Sequence, residues 1–270
     1  MKYSRKKIDF SLNYIRLIHI PKTGGISIRS SFEDVLGQDV SLKLRDDRIN
    51  EINKSLFQKY HRKLKRKLSV FRQEISGRYK SDRHYCENFD DIKFVYGHSS
   101  LGNEPKQLKK EPLFICVVRD PLERLYSDYQ YTKKSAAKSN RCSSDLKKEK
   151  ALALDFDAYV DFFYKLGNGN FFNTQSRYLS SSSDVKDVFR IIDEKIYLAA
   201  PIKDMQQFGE MLFANLLDEA PVIGYKNQST KSSTNISISS ETMVKIKTMF
   251  ENDYKLYDYV DDEFQKLLNG

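Results

Sequence analysis

Cysteine is scarce in this 270-residue chain: Cys86, Cys116 and Cys142 are the only three, and no two of them form a CxxC pair. Such a set encodes neither a disulfide framework nor a zinc ribbon, and it suits a reducing compartment or one indifferent to redox. Glycine and proline are also few, at 11 and 6, which excludes a collagen-like or low-complexity chain. Tryptophan is absent, and histidine occurs only at positions 19, 61, 84 and 98. No stretch approaches the roughly 18 apolar residues of a membrane span. The N-terminal MKYSRKKIDFSLNYIRL carries charges but lacks the apolar core of a signal peptide. The chain as given is therefore expected to be soluble and to act in a bacterial cytoplasm. A Golgi-lumen location would follow only if an N-terminal anchor had been removed.

What is present is apolar and aromatic material in quantity. Hydrophobic residues make up 40% of the chain, including 17 Tyr and 17 Phe, enough to bury a sizeable core and to rule out disorder as the dominant state. A mass of 31.6 kDa suits one large α/β domain. The formal charge is +9, and residues 54–83 carry eleven Lys/Arg against two acids, so this one segment holds a surplus equal to the whole net charge. Leu64, Leu68 and Phe71 recur there at helical spacing, which reads as a basic amphipathic helix. A solvated surface helix, a groove for an acidic polymer, a membrane surface and a nucleic-acid site all fit that charge.

Short apolar runs alternate with longer helical patterns, the mark of βαβ units and a mostly parallel sheet flanked by helices. Strands are expected over Tyr14–Ile20, Ile92–Tyr96, Leu113–Val118 and Ile196–Ala200. Helices are expected after Gly25, Asp120, Asp155 and Pro201, with a last one from about Glu241 to Val260. In that last helix Met243, Ile246, Phe250, Tyr254 and Tyr257 should form a buried stripe. Polar stretches at 133–150 and 228–240 interrupt the pattern. The simplest organisation is a single domain over 1–270 with a basic helical insertion at about 43–85.

Two strand ends carry anion-binding chemistry. In IRLIHIPKTGGISIRSSF, a strand ends at Ile20, Pro21 to Gly25 make a tight turn, and Ile26, Ser27 and Ile28 open a helix. Adjacent glycines let main-chain N–H groups converge on an anion at a helix N-terminus, and Lys22, Thr23 and Ser27 add a charge and hydroxyls. The loop is P-loop-like without being a Walker A motif, because its lysine precedes the glycines. An ordinary strand–turn–helix joint is the other reading. In LFICVVRDPLERLYSDYQY, Arg119 stands at a strand end. Asp120, Pro121 and Glu123 form a capping-box pattern, and Ser127 lies two turns into the helix. Arg119 and Ser127 suit a second phosphate clamp. Alternatively, Arg119 and Arg124 pair with Asp120 and Asp128.

PKTGGISI and RDPLERLYSDY together resemble the two nucleotide-binding signatures of the sulfotransferases that use 3′-phosphoadenosine 5′-phosphosulfate, most closely the carbohydrate-type branch that includes heparan sulfate 2-O-sulfotransferase. The resemblance implies that Lys22, Thr23, Gly24, Gly25, Ile26 and Ser27 cradle the 5′-phosphosulfate, and that Arg119 and Ser127 bind the 3′-phosphate. Ile26 stands where many relatives carry a hydroxyl residue. The segment KNQSTKSSTN is similar to the loop that closes over the nucleotide, which implies contacts from Asn227, Ser229 and Lys231; a polar linker is the other reading.

Transfer to a hydroxyl needs a base, and imidazole titrates near working pH. His98 follows Gly97 after a short strand, at the sheet edge expected to hold Lys22 and Arg119. The carbohydrate branch has its base on a similar Gly-His pair. That branch's second histidine, two residues earlier, is here Tyr96. His19 is expected to be buried within a strand. His84 and the basic side chains Arg62, Lys63, Lys65 and Arg66 are expected on the acceptor side, where they would guide an anionic glycan. No metal is expected, and the oligomeric state is not legible. Two rivals are a metal-dependent nucleotide kinase, which would need Asp120 to hold Mg²⁺, and a nucleic-acid-binding protein using residues 54–83, although no recognised module is present.

Overall fold

The computed structural model describes residues 1–4, 6–44, 89–102, 104, 108–138, 145–167, 169, 171–182, 184–214 and 236–270. The basic segment 54–83 with Arg62, Lys63, Lys65 and Arg66, then His84, and the tail positions Asn227, Ser229 and Lys231 lie outside the described residues.

Five parallel strands form one sheet in the order β2-β3-β1-β4-β5. They are β1 (Asn13–Ile18), β2 (Ser41–Lys43), β3 (Phe94–Gly97), β4 (Glu111–Val118) and β5 (Ile196–Pro201). Strands β1, β3 and β5 are almost wholly buried, as strands covered on both faces must be. Because β1 sends the chain outward to β2 on one side and receives β4 on the other, the crevice beyond its carboxyl end is where such sheets bind ligands. Register fixes what meets there. Ile18 pairs with Gly97 on one side and with Cys116 on the other, so the residues just beyond β1 and β3 are neighbours.

The helices are α1 (Gly25–Leu36), α2 (Pro121–Ala137), α3 (Leu146–Ala153), α4 (Phe156–Leu166), α5 (Thr174–Leu179), α6 (Val185–Glu194), α7 (Met205–Ala214), α8 (Ser240–Met249) and α9 (Glu251–Asn269). Helices α1 and α7 cover one face through Ile28, Phe32, Phe208, Leu212 and Phe213, and Phe32 stacks on Phe94 with ring centroids 4.4 Å apart. Each such side chain contributes about 1.5–3 kcal/mol on full burial. On the other face α5, α6 and α9 place Tyr178, Leu179, Val188, Ile192, Leu256 and Val260 over Ile18, Cys116 and Val118. A third cluster joins α2, α4 and α8 through Leu125, Tyr129, Tyr159, Phe163, Ile246 and Phe250.

Several expectations need correction. The three-residue edge strand β2 was not foreseen, nor were α3, α5 and α6. The stretch 133–150 is not wholly irregular, since α2 runs to Ala137 and α3 starts at Leu146. The single helix expected from Glu241 is two, broken at Phe250, which leaves helical geometry at φ −121° and ψ 27°. Asn173 fills that break. Its N–H donates to the Met249 carbonyl and its Oδ1 accepts from the N–H of Asn252. The break resets the phase, so beyond it the buried stripe is Asp253, Leu256, Val260 and Phe264 rather than Tyr254 and Tyr257.

Candidate active site

The loop after β1 is held from beneath. Thr23 is buried and donates its hydroxyl to the Ile20 carbonyl at 3.0 Å, so its side chain braces the turn and only its main-chain N–H is left to offer an anion. Gly24 has φ 86°, and a Cβ there would stand 2.6 Å from the Met205 methyl. A Cβ on Gly25 would stand 2.1 Å from Cδ2 of the His19 imidazole. Both glycines are thus required by the packing under the loop as well as by the turn. Lys22 also takes a left-handed conformation, with φ 73°, which costs an ordinary side chain about 1–2 kcal/mol. Strain of this kind tends to persist at functional sites.

Helix α1 then opens on Gly24 without a side-chain cap and with no acid in its first turn, so its N-terminal partial positive charge is not locally neutralised. Ser27 is buried in that turn, whereas Ile26 is 52% exposed at its mouth. The Lys22 ammonium lies 4.1 Å from the centre of the Tyr131 ring, a contact worth about 0.5–2 kcal/mol. Burial holds Lys22 below the usual lysine range. Asp128 opposes that, while the positive charges of Arg119, Lys147 and Lys134 add to it.

Arg119 leaves the end of β4 and joins the two signatures. Its Nη1 donates to the Lys22 carbonyl at 3.4 Å, and its Nε pairs with Glu123 at 3.2 Å. Asp120 caps α2, accepting the Glu123 N–H at 2.9 Å, but the expected capping box is only half formed because the Glu123 carboxylate turns to Arg119. The alternative pairing of Arg119 and Arg124 with Asp120 and Asp128 does not occur. Asp128 pairs with Lys147, and Arg124 is buried, donating to Thr174 at 3.3 Å. Ser127 is half-buried on α2, one turn before Tyr131.

A residue missed in the sequence holds Arg119 in place. The Gln175 side chain accepts the Arg119 N–H at 2.9 Å and donates to the Arg119 carbonyl at 2.8 Å. Gln175 is itself fixed by Asp253, whose carboxylate accepts the main-chain N–H groups of Gln175 and Ser176 at 3.0 and 2.8 Å. That carboxylate is fully buried, and burial raises its pKa. No local signal in the sequence marks Gln175, because its partner is 56 residues away.

His98 extends from the end of β3 and is exposed. Its Nδ1 lies 3.0 Å from the His19 carbonyl. A carbonyl only accepts, so Nδ1 carries the proton and Nε2 keeps a free lone pair. Gly97 has no alternative at this turn, since it sits at φ 151° with the Leu44 carbonyl where a Cβ would project. Tyr96 is buried in β3 beneath the Arg29 guanidinium, 4.7 Å from its ring, and burial pushes its phenol up to about 12. His19 is half-buried, not buried, and lies just past β1 rather than within it.

An uncapped helix start, a strand-end arginine and an exposed imidazole thus share one end of the sheet. The family described as the sulfotransferase domain matches residues 27–218, which is most of the chain. The chain belongs to the sulfotransferases. It is therefore an enzyme that moves a sulfuryl group from 3′-phosphoadenosine 5′-phosphosulfate to a hydroxyl-bearing acceptor. The matched span includes His98, Arg119 and Ser127, and the turn Lys22–Gly25 immediately precedes it. Among curated proteins no significant match to the sulfotransferase is found. The uncapped α1 start, Lys22 and Arg119 fit a donor that carries phosphate at both ends. Among the described residues no helix is long and apolar enough to cross a membrane, and no cluster of His, Cys, Asp and Glu is arranged to hold a metal ion.

Proposed function

We propose that this sulfotransferase acts on a carbohydrate hydroxyl, with His98 as the general base. The observation that carries the reading is the His98–His19 hydrogen bond. It leaves Nε2 as the basic nitrogen at the same sheet end as Lys22 and Arg119. In this reading Lys22, Ser27 and the main-chain N–H groups of Thr23, Gly24, Gly25 and Ile26 hold the 5′ end of the donor. Arg119 and Ser127 hold its 3′-phosphate, and the side chains of Asn227, Ser229 and Lys231 add contacts. The bound donor supplies the sulfuryl group, whose transfer leaves adenosine 3′,5′-bisphosphate. The Lys22 ammonium stabilises negative charge on the departing side, and His98 Nε2 takes the proton of the acceptor hydroxyl. The carbohydrate preference is supported by the resemblance of both signatures to the carbohydrate branch. An anionic glycan is supported by the surplus charge of residues 54–83. Asp120, which a nucleotide kinase would need for a metal ion, is committed to capping α2.

The test is transfer of labelled sulfate from the donor to a panel of glycans, lipids and phenols. The reading predicts preferred labelling of a glycan, an acceptor KM that climbs with salt, and a turnover loss of about 10²–10⁴-fold in His98→Ala. Labelling of phenols or lipids alone would overturn the carbohydrate assignment. Near-full turnover in His98→Ala would remove it as the base.

A further inference from the structure

We propose that His19 is a positioning residue whose imidazole, packed against both Gly25 and His98, fixes the base relative to the start of α1. The inference rests on His98 as the base. Its physical ground is the packing of three groups, from just beyond β1, just beyond β3 and the start of α1. The rings of His19 and His98 lie with centroids 4.1 Å apart and planes inclined by 31°. The Cδ2 and Nε2 edge of the His19 ring occupies the space into which a Cβ on Gly25 would project, 2.1 and 2.3 Å from that position. The register of Ile18 with Gly97 brings the two histidines side by side, because each is the next residue beyond its strand.

His98 is exposed, and an exposed ring left to itself samples several rotamers whose loss on each turnover costs free energy. Here the His19 carbonyl holds its Nδ1 and the His19 ring supports its face. The segment beyond His98 is held as well, by the buried Arg16, whose Nη2 donates to the Ser99 carbonyl at 3.3 Å. His19 is not itself placed to receive the acceptor proton. Its Cδ2 and Nε2 edge lies against Gly25, and burial, with smaller contributions from His98 and Arg29, lowers its pKa to about 3. A neutral ring also presents no charge to repel His98 once that residue is protonated.

The experiment uses the full-length chain and two readouts: the imidazole ¹⁵N spectrum of His98, which reports its tautomer without reference to catalysis, and kcat for sulfate transfer. The wild type should show His98 as the Nδ1–H tautomer. His19→Ala should mix the tautomers and lower kcat at least tenfold, while affinity for adenosine 3′,5′-bisphosphate stays within threefold. His19→Phe, a flat ring without nitrogens, should restore both the tautomer and kcat to within threefold. If His19→Ala does not fold, Gly25→Ala, which pushes a methyl into the His19 ring, should mix the tautomers in the same way. A wild-type tautomer and kcat in His19→Ala would overturn the proposal. So would a His19→Phe enzyme as slow as His19→Ala with its tautomer intact, because the His19 nitrogens would then carry chemistry. The parent reading fails separately: if His98→Ala turns over normally, His98 is not the base whatever the His19 variants do.

Discussion

At the scale of single residues, the site spends its side chains unevenly. Lys22 and Arg119 face each other across a main-chain contact, Thr23 is used as a brace, and two histidines divide their roles by environment. In the proposed reading the same imidazole chemistry gives an exposed proton acceptor in His98 and a half-buried neutral spacer in His19. That difference has a consequence for stability. Burial holds His19 at about 3 in the folded protein, against about 6.5 in the unfolded chain. Between those values the unfolded chain binds a proton that the folded one does not, so stability falls as pH drops below about 6.5. The groups that face His19, namely His98 and Arg29, push in the same direction. His19→Phe cannot be protonated and should lack this loss. The stability of the wild type relative to the variant should therefore fall by about 2 kcal/mol between pH 7 and pH 5, measured by denaturant unfolding. A difference independent of pH would show that His19 titrates normally in the folded protein.

At the scale of elements, the strand ends are set by helices remote in sequence. The strands β1, β3, β4 and β5 are legible because both of their faces are apolar. The glycine turn after β1 is legible because Pro21-Lys22-Thr23-Gly24-Gly25 separates a strand from a helix. The support behind Arg119 is not legible. Helix α5 is six residues long and too short to show a period, and its Gln175 acts through a partner just beyond β4. Asp253 reads as a solvated acid on a helix until the break at Phe250 turns it inward. Gln175→Met removes both main-chain hydrogen bonds to Arg119 at similar volume. The expected cost is about 1–3 kcal/mol of stability, since half-buried main-chain groups are left unpaired. In kinetics it should raise the donor KM several-fold with kcat little changed. An unchanged donor KM would mean that Arg119 is held without Gln175.

At the scale of the whole molecule, a parallel sheet brings three strand ends to one level, and the chemistry collects there. The Gly-loop, Arg119 with Ser127, and Gly97-His98 are drawn from separate stretches of the chain, and strand register brings them to one end of the sheet. Sequence reading finds each piece through its local pattern, since turn residues, helix caps and strand ends carry local signals. It does not find the contacts among them, such as Arg119 to the Lys22 carbonyl or His98 to the His19 carbonyl, because those depend on strand order. The central claim is that the first two pieces are a metal-independent site for the donor and the third is separate chemistry. Calorimetry with adenosine 3′,5′-bisphosphate in EDTA tests it most directly, on the wild type, Arg119→Ala and His98→Ala. The account predicts binding without metal, weakened by about 1.5–3 kcal/mol in Arg119→Ala, the range for hydrogen bonds to charged groups, and unchanged in His98→Ala. Binding of ATP that requires Mg²⁺, with none of the bisphosphate, would contradict it.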